Sequence, residues 1–148
     1  MQLMGRKDGV VMTYDKMLSD ADENNDKQQV CRIYHYQMLL AYLFGDYETA
    51  AVFSEKSKDI GYLLTGRFEV LENAFYSSLI FIVLSKKSKQ EKSHRAIVDE
   101  AVDKMKNWAE QIPYNCKHKL LLLEAELASL QGEEQVASIK YSSAAELA

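Results

Sequence analysis

The stretch Leu43-Phe44-Gly45-Asp46-Tyr47-Glu48-Thr49-Ala50-Ala51-Val52-Phe53 decides how this chain is read. An apolar run ends at a glycine, acidic residues follow, and a small alanine stands five positions after the glycine. The same order returns near the other end, in Leu130-Gln131-Gly132-Glu133-Glu134-Gln135-Val136-Ala137-Ser138-Ile139-Lys140-Tyr141. Glycine takes the left-handed conformation that closes a helix, and alanine lets the next helix pack close against the one before. Both stretches therefore read as the turn of an antiparallel helical hairpin.

Outward from these turns, the chain alternates long apolar-periodic segments with short breaks. The segments cover about 28–44, 47–63, 68–85, 93–111, 117–131 and 134–148, and the breaks hold Gly45, Gly66, Pro113 and Gly132. Glycine or proline just past a periodic run is ordinary helix punctuation. This pattern predicts an all-α fold of about six long helices in three hairpins, 28–63, 67–112 and 116–148. The last hairpin continues the motif with Tyr141 and Ala144. The middle one carries Ala101, Met105, Trp108 and Pro113 at the equivalent spacing, with Trp108 oversized for a small-residue position. Self-similarity of this kind is the mark of a tetratricopeptide-like array, here with a unit of roughly 40 residues instead of about 34. Such arrays stack their hairpins into a right-handed superhelix.

Residues 1–27 read as weakly organised. Val10, Val11, Met12, Met17 and Leu18 fit one short amphipathic turn or helix, and Ser19 to Asp26 reads as a polar, acidic loop. A calcium loop counted from Asp20 fails, because Asn25 stands where the glycine belongs and Cys31 where the bidentate glutamate belongs.

Composition agrees with a helical reading. The 148 residues include one proline and six glycines, too few for a turn-rich all-β chain. The 18 basic and 22 acidic residues leave a net charge of -4, which disfavours a dedicated nucleic-acid binder. Cys31 and Cys116 stand far apart without a CxxC, so a reducing, cytoplasmic setting is expected. The most apolar run, Ala74 to Leu84, is shorter than the roughly 20 residues of a membrane span and reads as a buried helix. No signal-peptide core follows Met1, and no membrane role is expected.

Two longer stretches carry a family resemblance. One is Leu39-Leu40-Ala41-Tyr42-Leu43-Phe44-Gly45-Asp46-Tyr47-Glu48-Thr49-Ala50. The other combines Asn107-Trp108-Ala109-Glu110, Pro113-Tyr114-Asn115, His118-Lys119, Leu123-Glu124-Ala125-Glu126-Leu127-Ala128, Gln131-Gly132 and Tyr141. Together they resemble the tetratricopeptide-like helical region of large multidomain signalling proteins. Those proteins join a serine/threonine-kinase-like domain, an AAA-type or STAND-type ATPase and often a histidine kinase. The resemblance covers about Tyr34 to Ala148. It implies a helical scaffold or regulatory segment, and no kinase or ATPase motif is present to carry a catalytic residue.

Catalytic patterns are otherwise missing from the sequence. Neither GxxxxGK[ST] nor GxGxxG occurs, and no GxSxG elbow is found. Cys116 and His118, two positions apart on a helix, diverge by roughly 200° and make a poor metal or nucleophile pair. Glu124 and Glu126 read as ion-pair partners for Lys119 or Lys140. The run Lys86 to Arg95 holds five basic residues and one acid but no aromatic platform for bases, and reads as a solvated linker.

The expected function is therefore a non-catalytic protein–protein interaction module without cofactor or metal. Stacked hairpins expose a concave surface built from the first helix of each, where a peptide or helix docks. By repeat register that surface holds Arg32, His35, Tyr36 and Leu39, then Asn73, Tyr76 and Ile80, then Lys119, Leu122 and Glu126. A carboxylate clamp needs lysine and asparagine at the His35 and Leu39 positions, so chaperone tails are disfavoured. One alternative occupant is a neighbouring domain of the same signalling protein. Another function is a small-molecule sensor with a pocket between Tyr36, Tyr76 and Leu122. On the last helix, Ala137, Tyr141 and Ala144 form an inward stripe, whereas Val136, Ile139 and Leu147 point away and suggest a homodimer.

Overall fold

The computed structural model describes residues 13–87 and 91–148; the expected apolar residues Val10, Val11 and Met12 lie outside them. Among the described residues there are eight α-helices and no strand. They are α1 (Tyr14–Glu23), α2 (Lys27–Leu43), α3 (Tyr47–Lys56), α4 (Ile60–Leu63), α5 (Phe68–Lys87), α6 (Glu91–Gln111), α7 (Pro113–Leu130) and α8 (Glu134–Leu147). Neighbours in sequence pair in space: α1 with α2, α2 with α3, α5 with α6, α6 with α7, and α7 with α8.

Three of the connections share one turn. Gly45 and Gly132 have φ of 77° and 79°, and Asn25 takes the same left-handed region at 54°. The following residue closes each turn by donating its backbone N–H five residues back. Asp26 bonds the Ala21 carbonyl at 2.8 Å, Asp46 that of Ala41 at 2.9 Å, and Glu133 that of Ala128 at 2.9 Å. This is the Schellman arrangement, which satisfies carbonyls left open at a helix end. Two of these turns also start the next helix with a capping aspartate. Asp26 Oδ1 accepts from the Gln29 N–H at 2.9 Å, and Asp46 Oδ1 from that of Thr49 at 3.1 Å.

The expectation of an acidic loop over Ser19 to Asp26 is corrected by this turn. Thr13 caps α1, whose helix runs through Ser19 to Glu23, and only Asn24-Asn25-Asp26 forms the connection. Asparagine tolerates the left-handed region, so Asn25 does what glycine does in the other two turns.

The expected helix over 47–63 is also divided. Ser57 stops α3 because its groups are claimed from outside that helix. Its carbonyl accepts from Cys31 Sγ at 3.6 Å, its hydroxyl accepts from Asn73 Nδ2 at 2.9 Å, and it donates back to the Ser54 carbonyl at 3.1 Å. Captured in this way, Ser57 turns the chain into the short α4. Helices α1 and α4 bring the expected six to eight. Pro113, read as the stop of one helix, is the first residue of the next, where its missing N–H costs nothing.

Helix α5 is the axis of the molecule, packed by α2, α3, α4, α6 and α7. By length and composition it could cross a membrane, yet its apolar side chains are mostly enclosed by these neighbours. The largest core cluster joins Leu71, Phe75, Leu79, Phe81 and Ile82 to Val98, Val102 and Met105 of α6 and to Cys116 and Leu123 of α7. A second cluster sets Met38 and Ala50 against Ile80, where the alanine five residues after Gly45 lets α3 approach α2.

Candidate functional site

The first helices of the three expected hairpins, α2, α5 and α7, lie side by side, with α5 in contact with both others. Ion pairs cross each seam. Arg32 Nε lies 3.2 Å from Glu69 Oε1 between α2 and α5. Between α5 and α7, Glu72 Oε1 is 3.7 Å from Lys119 Nζ, and Lys86 Nζ is 3.3 Å from Glu126 Oε2. Lys119 also sits 4.9 Å over the Phe75 ring. Arg32, Lys119 and Glu126, expected as ligand contacts, are thus engaged in holding neighbouring helices together.

Glu126 has a further partner. Tyr141 on α8 donates its hydroxyl to Glu126 Oε1 at 2.6 Å. Burial, then this hydrogen bond and the charge behind it, push the phenol up to about 12. Beside it, Lys140 Nζ reaches Glu124 Oε2 at 2.6 Å, so each glutamate of the pair Glu124 and Glu126 is bound to a cation.

His35, Asn73 and Ile80 are withdrawn from the expected concave surface; they are buried between α2, α3 and α5. The reason is rotational. With five helices around α5, the half-buried residues that meet α2 or α7 are Glu69, Glu72 and Tyr76, and positions 73 and 80 turn inward. His35 is 1% exposed, and the Asn73 carboxamide nitrogen lies 3.2 Å from its Nδ1 and 2.9 Å from Ser57 Oγ. With Asn73 donating, Nδ1 is the acceptor and Nε2 carries the proton. Burial lowers the His35 pKa, so the ring is held neutral. Ser54 and Ser77 extend this polar chain with a 2.8 Å hydroxyl contact.

Four of the expected residues keep accessible side chains without a charge partner. Tyr36 is 49% exposed, and Leu39, Tyr76 and Leu122 are half-buried. Tyr76 stands edge-on to Tyr42, with ring centroids 5.3 Å apart. These four stand on α2, α5 and α7, whose seams are crossed by the paired charges. On α8, Ala137 and Ala144 are buried, and Val136, Ile139 and Leu147 are exposed, Ile139 by 67%.

A feature that sequence reasoning missed lies on the other side of α5. A cleft of about 710 Å³ opens between α3 and α4 on one side and α6 on the other. Its floor is Val70, Asn73, Ala74, Ser77 and Phe81 of α5, and its α6 wall is Ile97, Ala101 and Trp108. Tyr36, Tyr76 and Leu122 are not among its lining residues, so this is not the sensor pocket expected from the sequence. The oversized Trp108 was the available signal. A large ring on a second helix, where a small residue would allow close packing, marks a place where helices stand apart.

Neither buried cysteine has the character of a nucleophile, since burial raises both thiols. Among the described residues no group of three histidine, cysteine, aspartate or glutamate side chains converges as metal ligands. Comparison with known proteins adds no identity: no protein-family model, no curated protein and no solved structure matches the chain.

Proposed function

We propose that the chain is a tetratricopeptide-like scaffold that binds a peptide or helix of another protein on the concave face formed by α2, α5 and α7. The observation that carries this reading is the packing order. Each new first helix touches its own second helix, the preceding second helix and the preceding first helix: α5 meets α6, α3 and α2, and α7 meets α8, α6 and α5. Hairpins stacked by that rule turn their first helices toward one shared surface.

The chemistry of that surface limits its ligand. Arg32, Lys119 and Glu126 are neutralised by Glu69, Glu72 and Lys86. What remains for recognition is Tyr36, Leu39, Tyr76 and Leu122, which favours a segment with apolar or aromatic side chains over a carboxylate tail. The role is non-catalytic, and signalling is the setting in which the resemblance of residues 34–148 would place it.

Phage-displayed random peptides selected on the wild-type protein and counter-selected on Tyr36→Glu, Leu122→Glu test the reading. The expected result is enrichment of apolar or aromatic motifs that lose at least about tenfold in affinity on the variant. Enriched peptides that bind both proteins equally would refute it.

A further inference from the structure

We propose that the slot between α3 and α6 is a second docking site, which takes one amphipathic helix of a partner protein. Its docking stripe would be apolar, flanked by one basic and one acidic side chain.

The slot follows from the fold, but its lining does not. Helices α3 and α6 both pack on α5 without touching each other. The same gap recurs one hairpin later, between α6 and α8 over α7, as a cleft of about 450 Å³. That second cleft has an apolar floor of Val102, Leu127, Ala128 and Val136, but its edges are charged throughout, with Arg95, Asp99, Asp103, Lys106, Glu124 and Lys140. The slot between α3 and α6 instead presents Phe81, Ile97, Ala101 and Trp108. The larger aromatic and aliphatic lining in one of two equivalent gaps is a property of this sequence and not of the stacking.

Its shape is that of a helix seat. On α5 the lining residues fall at positions 70, 74, 77 and 81, and on α6 at 97, 101, 104 and 108. Both are stripes of three-to-four-residue spacing, so each wall runs about 16 Å, or three helical turns. Two antiparallel helices with such stripes form a groove into which the ridge of a third fits.

Charge then selects among helices. The Ser54–Ser77 and Asn73–Ser57 contacts fix the level of α3 on α5. Phe81 against His94 sets the level of α6 on α5, so Glu55 and Glu100 flank the slot within a turn of Ser77, and Lys58 and Lys104 flank it about one turn away, toward Asn73. Each acid is paired with the lysine three or four residues after it, at 3.1 Å and 2.6 Å. These pairs, unlike the half-buried ones at the helix seams, are exposed and exchange partners at little cost. A partner helix with a base and an acid one turn apart meets opposite charge at both levels. A helix with two like charges meets repulsion at one of them.

Trp108 is the only tryptophan in the chain and lines the slot, so its fluorescence reports occupancy directly. The probes are three acetylated helical peptides of about 14 residues, alanine- and leucine-based. They carry Arg and Glu, two Arg, or two Glu at four-residue spacing. The expected result is a blue shift of Trp108 emission, with the mixed peptide binding about tenfold more tightly than either control. The double variant Glu100→Lys, Lys104→Glu changes exposed residues only and makes each rim level neutral, so the preference should vanish. Tyr36→Glu, which alters the opposite face, should leave this binding unchanged. Unchanged Trp108 emission up to about 1 mM peptide, equal affinity for all three probes, a preference that survives the charge swap, or loss of binding in Tyr36→Glu would each overturn the proposal.

Discussion

Replacing Asn73 should unsettle the molecule more than any surface change, because its carboxamide joins α2, α3 and α5 inside the core. In Asn73→Ala the two short hydrogen bonds of the carboxamide disappear, the 3.2 Å contact to His35 Nδ1 and the 2.9 Å contact to Ser57 Oγ, together with the long 3.9 Å contact to Met38 Sδ. A buried imidazole nitrogen is left without its donor, at a cost of about 1–3 kcal/mol, and the second lost bond adds about 1 kcal/mol. The expected destabilisation is therefore about 2–4 kcal/mol near neutral pH, read from urea midpoints at unchanged slope. The histidine gives a second readout. Its native pKa is lowered, so below about pH 6.5 the unfolded chain binds a proton that the native chain refuses. Wild-type stability should accordingly fall with pH below about 6.5, by up to about 1.4 kcal/mol per unit for this group, until the lowered native pKa is passed. His118, also lowered by burial, adds in the same direction, so the His35 ring must be followed individually by NMR. Asn73→Asp places a carboxylate beside Nδ1, should raise the His35 pKa, and should flatten or reverse that acid loss. A loss under about 0.5 kcal/mol in Asn73→Ala, or wild-type His35 titrating near 6.5, would refute the reasoning.

Other expectations rest on separate parts of the fold. Gly45→Val and Gly132→Val should each lower stability by about 1 kcal/mol or more, since a β-branched residue resists φ near +78°; unchanged melting temperatures would contradict the turns described. Tyr141 keeps its proton to about 12, whereas an unfolded tyrosine loses it near 10, so stability should fall as pH rises between those values. The difference in phenolate absorbance between wild type and Tyr141→Phe isolates that group, and a difference curve centred near 10 would refute the Glu126 contact. We further propose a two-fold dimer through the exposed Val136, Ile139 and Leu147. Light scattering across a concentration series should show association that Ile139→Glu, Leu147→Glu abolishes, and a wild-type monomer throughout would rule the dimer out.

The helical class was legible because the signals are local. Gly45 and Gly132 mark helix ends by backbone conformation alone, and the alanines five residues later need only the adjacent helix. Asn25 shows the limit of that reading. It makes the same turn as the glycines, but its acidic and amide-rich neighbours have the composition of a loop. The break at Ser57 was not legible at all, since it depends on Cys31 and Asn73, 26 residues before it and 16 after. The same limit governs the candidate site. Periodicity places His35, Asn73 and Ile80 near one helix face, but a rotation of one residue separates a groove from a core. That rotation is set by the five helices around α5, which no single-helix pattern contains. Tyr36 and Leu122 keep accessible side chains at the middle of their stripes, whereas Arg32, Lys119 and Glu126, expected as ligand contacts, stand at the helix seams and find their partners within the chain.

The claim that α2, α5 and α7 together form a polypeptide-binding face is tested most directly by an amide chemical-shift map. A nitrogen-15-labelled sample would be titrated with a peptide enriched by the phage selection. The account predicts shifts concentrated at Tyr36, Leu39, Tyr76 and Leu122, spread over all three helices and absent from the outer face of α8. Shifts confined to a single helix, or gathered around residues remote from those four, would contradict it.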